Sequence, residues 1–152
     1  MEVPKRKHPA HGIKHVDNQP TIIFDTVCTK RGEPWLANPS VHALLKEVWR
    51  EADAWAMGKY MILPNHIHFF AGDLDSTIGY ESWVKYWKSL FSKRHGNPHH
   101  RWLANHWDTR VRNENIYEEK WEYVRQNPVR HGLVESPDDW PYQGEIHVLG
   151  WG

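Results

Sequence analysis

Two histidines one residue apart, His66-Ile67-His68, and a tyrosine four residues before an asparagine, Tyr123 and Asn127, are the side chains whose types and spacing suggest chemistry. On a β-strand, residues two apart point to the same face. Two neutral imidazoles can then share one divalent cation, while Ile67 turns toward the core. Two histidines do not close a zinc site, which takes four ligands. A third ligand must come from elsewhere, and open coordination positions favour catalysis over structure. On a helix, Tyr123 and Asn127 lie within about 40° of each other. A phenol, with a pKa of about 10, is a poor nucleophile unaided. It attacks phosphorus once a metal polarises the phosphate and stabilises the leaving oxygen. The Asn127 carboxamide oxygen can supply the missing ligand. Bland alternatives stand beside these readings. In a chain with 12 His the His-x-His spacing can arise by chance, a Tyr near Trp121 can pack in a core, and an Asn before Pro128 can stop a helix. Tyr117 and Tyr86 are rival phenols, but neither has an amide four residues on.

The field around these residues is uneven. The 152 residues carry 19 basic and 19 acidic side chains. From Trp83 to Arg112, however, Lys85, Lys88, Lys93, Arg94, Arg101, Arg110 and Arg112 face a single acid, Asp108. Trp83, Tyr86, Trp87, Trp102 and Trp107 are interleaved with them. Cations meet phosphates and rings stack on bases, so the stretch suits single-stranded nucleic acid, whereas the plain alternative is a solvated helix face above an aromatic core. Acidic segments follow, at Glu114–Glu122 and Glu135–Glu145. One cysteine, Cys28, excludes an internal disulfide and suggests a reducing, cytoplasmic setting. No apolar run approaches the ~20 residues of a membrane span, and the opening MEVPKRKHPAHG has no apolar signal core.

The elements that must position these residues are legible as patterns. Residues 1–19 read as a loose polar arm, and 20–152 as one domain. Thr21–Thr29 is rich in β-branched residues and reads as a strand. Asn38-Pro39 opens an amphipathic helix to about residue 55. Trp55–Leu63 and His66–Ala71 read as two strands joined through Pro64-Asn65. Ser76 or Thr77 caps a helix to about residue 93, with Val84, Trp87, Leu90 and Phe91 inward. Trp107–Arg112 alternates as a short strand. Asn113 caps a last helix that stops near Asn127-Pro128. The order β-α-β-β-α-β-α predicts an α+β fold, an antiparallel sheet with helices on one face.

Three segments together resemble a known family. Met61-Ile-Leu-Pro-Asn-His-Ile-His-Phe-Phe70 resembles the histidine-hydrophobic-histidine strand of the single-tyrosine transposases, within the HUH nuclease superfamily. Trp107–Asn113 resembles the strand and turn before their last catalytic helix. Trp121-Glu-Tyr-Val-Arg-Gln-Asn-Pro-Val-Arg-His-Gly-Leu-Val134, followed by Trp140-Pro-Tyr142, resembles the tyrosine helix and tail of the REP-associated tyrosine transposases. The resemblance implies a ferredoxin-like or RRM-like sheet, His66 and His68 as metal ligands, Asn127 as the third, and Tyr123 as nucleophile. It further implies Mg²⁺ or Mn²⁺ as cofactor. The implied partner is single-stranded DNA with hairpin repeats, cut to a 5′-phosphotyrosine and a free 3′-hydroxyl and then rejoined. Members act as homodimers that exchange the tyrosine helix or as monomers. Trp83, Lys85, Lys88, Arg94, Arg110 and Arg112 are the candidate DNA contacts. The alternative is a domesticated hairpin-binding protein that does not cut. A cupin would need more ligands on other strands, and a histidine-triad hydrolase a third His where Phe70 stands.

Overall fold

A computed structural model describes residues 13–16, 19–74 and 77–151. The elements run β1 (His15–Val16), β2 (Gln19–Pro20), β3 (Ile22–Thr29), α1 (Pro39–Glu51), β4 (Trp55–Ile62), β5 (His66–Asp73), α2 (Tyr80–His95), β6 (Trp102–Val111), α3 (Glu114–Arg125), α4 (Asn127–Arg130) and β7 (Gln143–Glu145). The first two strands pair as a small ladder, and the rest build a five-stranded antiparallel sheet in the order β6-β3-β5-β4-β7. The α+β class is as expected. Residues 1–12 and 17–18 of the anticipated arm lie outside the described residues, while Ile13 is buried with Ile22, Phe70 and Leu149. No helix among the described residues is long and apolar enough to cross a membrane.

Local signals account for most boundaries. The Asn38 side chain accepts a hydrogen bond from the Val41 amide at 3.0 Å, and Pro39 occupies the first turn, where no N–H is needed. Asn113 caps α3 in the same way, accepting from Ile116 N at 2.9 Å. Helix α2 starts at Tyr80 behind Gly79 without a side-chain cap, and Ser76 lies outside the described residues. It ends at Gly96, whose φ of 70° is left-handed. Asn127-Pro128 does not end the helical path. Gln126 keeps helical angles, and Pro128 sits in the first turn of α4, where its missing donor costs nothing.

Helices cover both faces of the sheet, which corrects the one-face expectation. Alternation along β5 sorts the side chains. Ile67, Phe69 and Ala71 join Val27, Met57, Leu45, Trp49, Trp83 and Trp87 under α1 and α2. On the opposite face, Phe70 packs with Ile22, Val111 and Tyr117, and Met61 with Val124 and Trp140. Helix α3 covers that second face, and His66 and His68 share its side with Phe70. β7, a three-residue polar segment, borders β4 and carries no strand signal in its sequence.

Candidate active site

The turn at Pro64-Asn65 returns the chain from β4 to β5, so His66 and His68 begin the central strand of the sheet. Their ring centroids are 4.7 Å apart. Neutral oxygens engage the inner nitrogen of each ring. His66 Nδ1–H donates to Asn65 Oδ1 at 2.7 Å, and His68 Nδ1 lies 2.8 Å from Thr26 Oγ1 on β3. With Nδ1 protonated, each Nε2 carries its lone pair as an acceptor or ligand, and that of His68 meets the Asn127 amide. Burial first, then the positive charge of neighbouring His131, pulls His66 down to about 4. Burial, then His66, Arg130 and His131, pulls His68 down to about 3. Both rings are therefore neutral, which ligation requires.

The last helices bring the other two groups to this face. Asn127 is 8% exposed, and its Nδ2 donates to His68 Nε2 at 3.1 Å. Its Oδ1 accepts from Arg130 Nη2 at 3.2 Å. Tyr123 is 67% exposed and lines, with His68, Phe24, Glu119, Lys120 and Val124, a cavity of about 350 Å³. Arg130 also donates to the Tyr123 carbonyl at 2.6 Å, and its guanidinium lies 3.9 Å from the centre of the Tyr123 ring. The rival Tyr117 is buried against Phe70, and burial pushes its hydroxyl well above the ordinary value. Tyr86 stands exposed on α2, on the other side of the sheet.

The donor set suits the cation that the resemblance implies. Two imidazole lone pairs and one amide oxygen leave coordination positions open. A half-turn of the Asn127 amide would present Oδ1 in place of Nδ2, at the loss of the Arg130 bond. Two nitrogen ligands match Mn²⁺ better than Mg²⁺, which holds to oxygen. A second group of metal-ligand types, Glu81, His106 and Asp108, brings its donor atoms within 4.8 Å of one another. It lies on the α2 face. His106 Nδ1 is 2.7 Å from the buried Asp25 carboxylate and its Nε2 2.8 Å from Glu81. Both nitrogens donating to carboxylates means an imidazolium with no lone pair to offer.

The expected DNA contacts divide sharply. Trp83 is 1% exposed, with its indole N–H donating to the Ala52 carbonyl at 2.7 Å. It is a core residue and offers no face to a base, a correction that its place one turn before Trp87 explains. Lys88 is 8% exposed and donates to the Leu103 carbonyl at 2.9 Å, so its charge is partly committed. Arg94 pairs with Glu51 on the surface. Lys85 and Arg112 are exposed and Arg110 half-buried. Lys85 and Lys88 join Ser89, Asn97, His100 and Arg101 along an open groove of about 770 Å³ between α2 and β6. Arg101 also lines an adjoining cavity with Lys30 and Arg31. These three cations are not among the sequence candidates, because β3, α2 and the 96–101 turn meet only in three dimensions. Trp107 is a further addition. It is 59% exposed and pairs with Thr26, which pairs in turn with His68, so it stands in the same row of the His66–His68 face.

No protein-family profile matches the chain. A REP-associated tyrosine transposase of Escherichia coli is 28% identical, over 66% of this chain and 59% of its own length. A Haemophilus influenzae protein provisionally named for the same group is 28% identical, over 60% of this chain and 63% of its own. The chain thus spans about three fifths of the length of the curated relatives it matches. The solved structure of a REP-associated tyrosine transposase bound to a REP hairpin superposes with a TM-score of 0.70 at 21% identity, covering 93% of this chain and 82% of that one. In sequence and in fold, this chain resembles the REP-associated tyrosine transposases, in agreement with its three motifs.

Proposed function

We propose that the protein is a metal-dependent transesterase of single-stranded DNA, a tyrosine transposase that cleaves and rejoins strands beside hairpin repeats through a 5′-phosphotyrosine intermediate. One observation carries the reading. Tyr123 and His68 line a single cavity, and Asn127, one helical turn past Tyr123, has its amide 3.1 Å from His68 Nε2. The transposase names of the relatives support the reaction class, and the hairpin held by the fold neighbour supports the partner.

The chain's own groups divide the work. Lys85, Arg101, Lys30 and Arg31 bind phosphates of the hairpin along the groove, with an affinity that falls as salt rises. Trp107 offers an exposed ring to an unpaired base on the way to the catalytic face. His66 and His68 would hold Mg²⁺ or Mn²⁺ through imidazole nitrogen, and Asn127, with its amide turned, through its carboxamide oxygen. When bound, the cation supplies Lewis-acid stabilisation of charge on a non-bridging phosphate oxygen. The Tyr123 oxygen attacks phosphorus in line. The O–P bond forms as the P–O3′ bond breaks, and the departing 3′-oxygen gains a proton to match the one the phenol gives up. The phosphotyrosine retains the bond energy, so an incoming 3′-hydroxyl reverses the step without ATP. That one chain lines the cavity with both Tyr123 and His68 supports action as a monomer, the alternative being a homodimer that exchanges the tyrosine helix. Such an enzyme acts in the cytoplasm, at the nucleoid when bound to DNA.

The test is incubation of single-stranded hairpin oligonucleotides with the protein, with and without Mn²⁺, scored by the mass of a tyrosine peptide. An adduct on Tyr123 that requires the metal and vanishes in Tyr123→Phe is the expected result. Hairpin binding with no adduct under any metal would leave the non-cleaving, hairpin-binding alternative.

A further inference from the structure

Building on that proposed reaction, we propose that Lys120 is a further catalytic residue, whose ammonium binds a non-bridging oxygen of the scissile phosphate opposite the His66–His68–Asn127 side. Lys120 sits one helical turn before Tyr123 on α3, so the two side chains leave the helix on one face. It is half-buried, and its Nζ stands 5.1 Å from the centre of the Phe24 ring. That ring in turn stacks at 15° against His68, with centroids 5.7 Å apart. Phe24, His68, Tyr123 and Lys120 thus surround the same space of about 350 Å³.

Three further facts separate Lys120 from an ordinary surface lysine. Among the described residues no carboxylate lies within 4.0 Å of its ammonium, although Glu119 and Glu122 are close in sequence, and the Glu122 side chain is held by Arg125 and Gln126. Lys120 is the one cation among the described residues that line the cavity. Arg130, a second cation beside Tyr123, is already spent on the Tyr123 carbonyl, the Tyr123 ring and Asn127 Oδ1. The face of Phe24 holds the ammonium while the cavity is empty, and a phosphate oxygen is a far stronger partner. Charge on the phosphoryl oxygens must be neutralised from more than one side, and a preorganised ammonium in a partly desolvated cavity does this without reorganising.

The experiment is single-turnover adduct formation on a hairpin oligonucleotide with Mn²⁺, using wild type, Lys120→Met and Lys120→Arg. Removing one such donor slows the chemical step by about 100-fold. Lys120→Met should therefore lose about that much, while hairpin affinity changes by less than about threefold, since one phosphate contact among many is removed. Lys120→Arg keeps the charge and should stay at least about tenfold faster than Lys120→Met. An uncharged methylphosphonate at the scissile linkage removes the oxygen charge that Lys120 answers, so the Met variant's deficit should shrink there. A Lys120→Met rate within threefold of wild type, or Arg and Met variants equally slow, overturns the assignment. If wild type itself forms no adduct, the parent reaction falls and this role falls with it, an outcome distinguishable from a Lys120 failure.

Discussion

The two faces of the sheet each set histidine among polar partners, and they treat imidazole in opposite ways. On the α3 face, His66 and His68 are held through Nδ1 by neutral oxygens of Asn65 and Thr26. Burial keeps them uncharged, and His68 Nε2 faces the Asn127 amide beside the cavity that His68 lines. On the α2 face, His106 is pinned between the carboxylates of Asp25 and Glu81. Burial alone would lower its pKa, but the bonds and charges of Glu81 and Asp25 outweigh that and raise it. Asp25 is wholly buried, and burial drives its carboxyl up against the opposing hydrogen bond from Tyr80, 2.5 Å away. The partner therefore decides the role. An amide or hydroxyl leaves histidine neutral and fit to ligate, and a pair of carboxylates makes it a strut between β3, β6 and α2.

The contrast breaks most visibly in activity. His68→Ala should lower adduct formation by about 1,000-fold, roughly 4 kcal/mol of transition-state stabilisation, while His106→Gln changes it little once the fold is intact. Comparable losses in both would erase the distinction. Stability should invert the ranking. His106→Ala strands the buried Asp25 charge and should cost about 3 kcal/mol in urea unfolding, whereas His68→Ala should cost less. Saturating Mn²⁺, at about 100 times its Kd, should stabilise wild type by about 2.7 kcal/mol and leave His68→Ala unmoved. Mn²⁺ should do so at lower concentration than Mg²⁺, and a chelator should abolish cleavage. Equal shifts in both variants would move the metal elsewhere, toward Glu81, His106 and Asp108.

The smallest effect concerns pH. His66 and His68 have folded values of about 4 and about 3, below the ordinary 6.5, so the unfolded chain binds more protons between those values and 6.5. Their contribution is complete above pH 6.5 and is lost as pH falls, by about 1.4 kcal/mol per unit per fully linked group. His106, raised above 6.5, contributes fully below that pH and loses its contribution as pH rises through its folded value. In metal-free buffer, His66→Gln with His68→Gln should flatten the acid limb of unfolding stability, and His106→Gln the limb above pH 6.5. Unchanged limbs would deny the charge assignments on either face.

Most of the candidate site on the α3 face is legible in the order of the amino acids alone. Pro64-Asn65 announces the turn, the Ile67 and Phe69 parity sets the core side of β5, and Asn113 announces the helix that carries Tyr123 and Asn127. The strut is harder to see, because Asp25 and His106 are 81 residues apart. A signal exists: Asp25 shares parity with Ile23 and Val27 in an otherwise apolar strand, and a carboxylate at an inward position demands a partner. Trp83 misleads because it lies in a basic stretch, although its i, i+4 relation to Trp87 marks it as core. Lys120 gives no signal, since its significance comes from Phe24 and His68 beneath it, on strands remote in sequence.

The strict two-faced sorting of β5 has a consequence for how the protein arises on the ribosome. A slip of one residue against β3 would turn His66 and His68 inward among the tryptophans and push Ile67 and Phe69 out toward water. The same hydrophobic alternation that makes the chain fold thus also aims His66 and His68. Misaligned molecules would lose the paired imidazoles of the α3 face and expose greasy side chains together, the kind of surface that chaperones and proteases recognise.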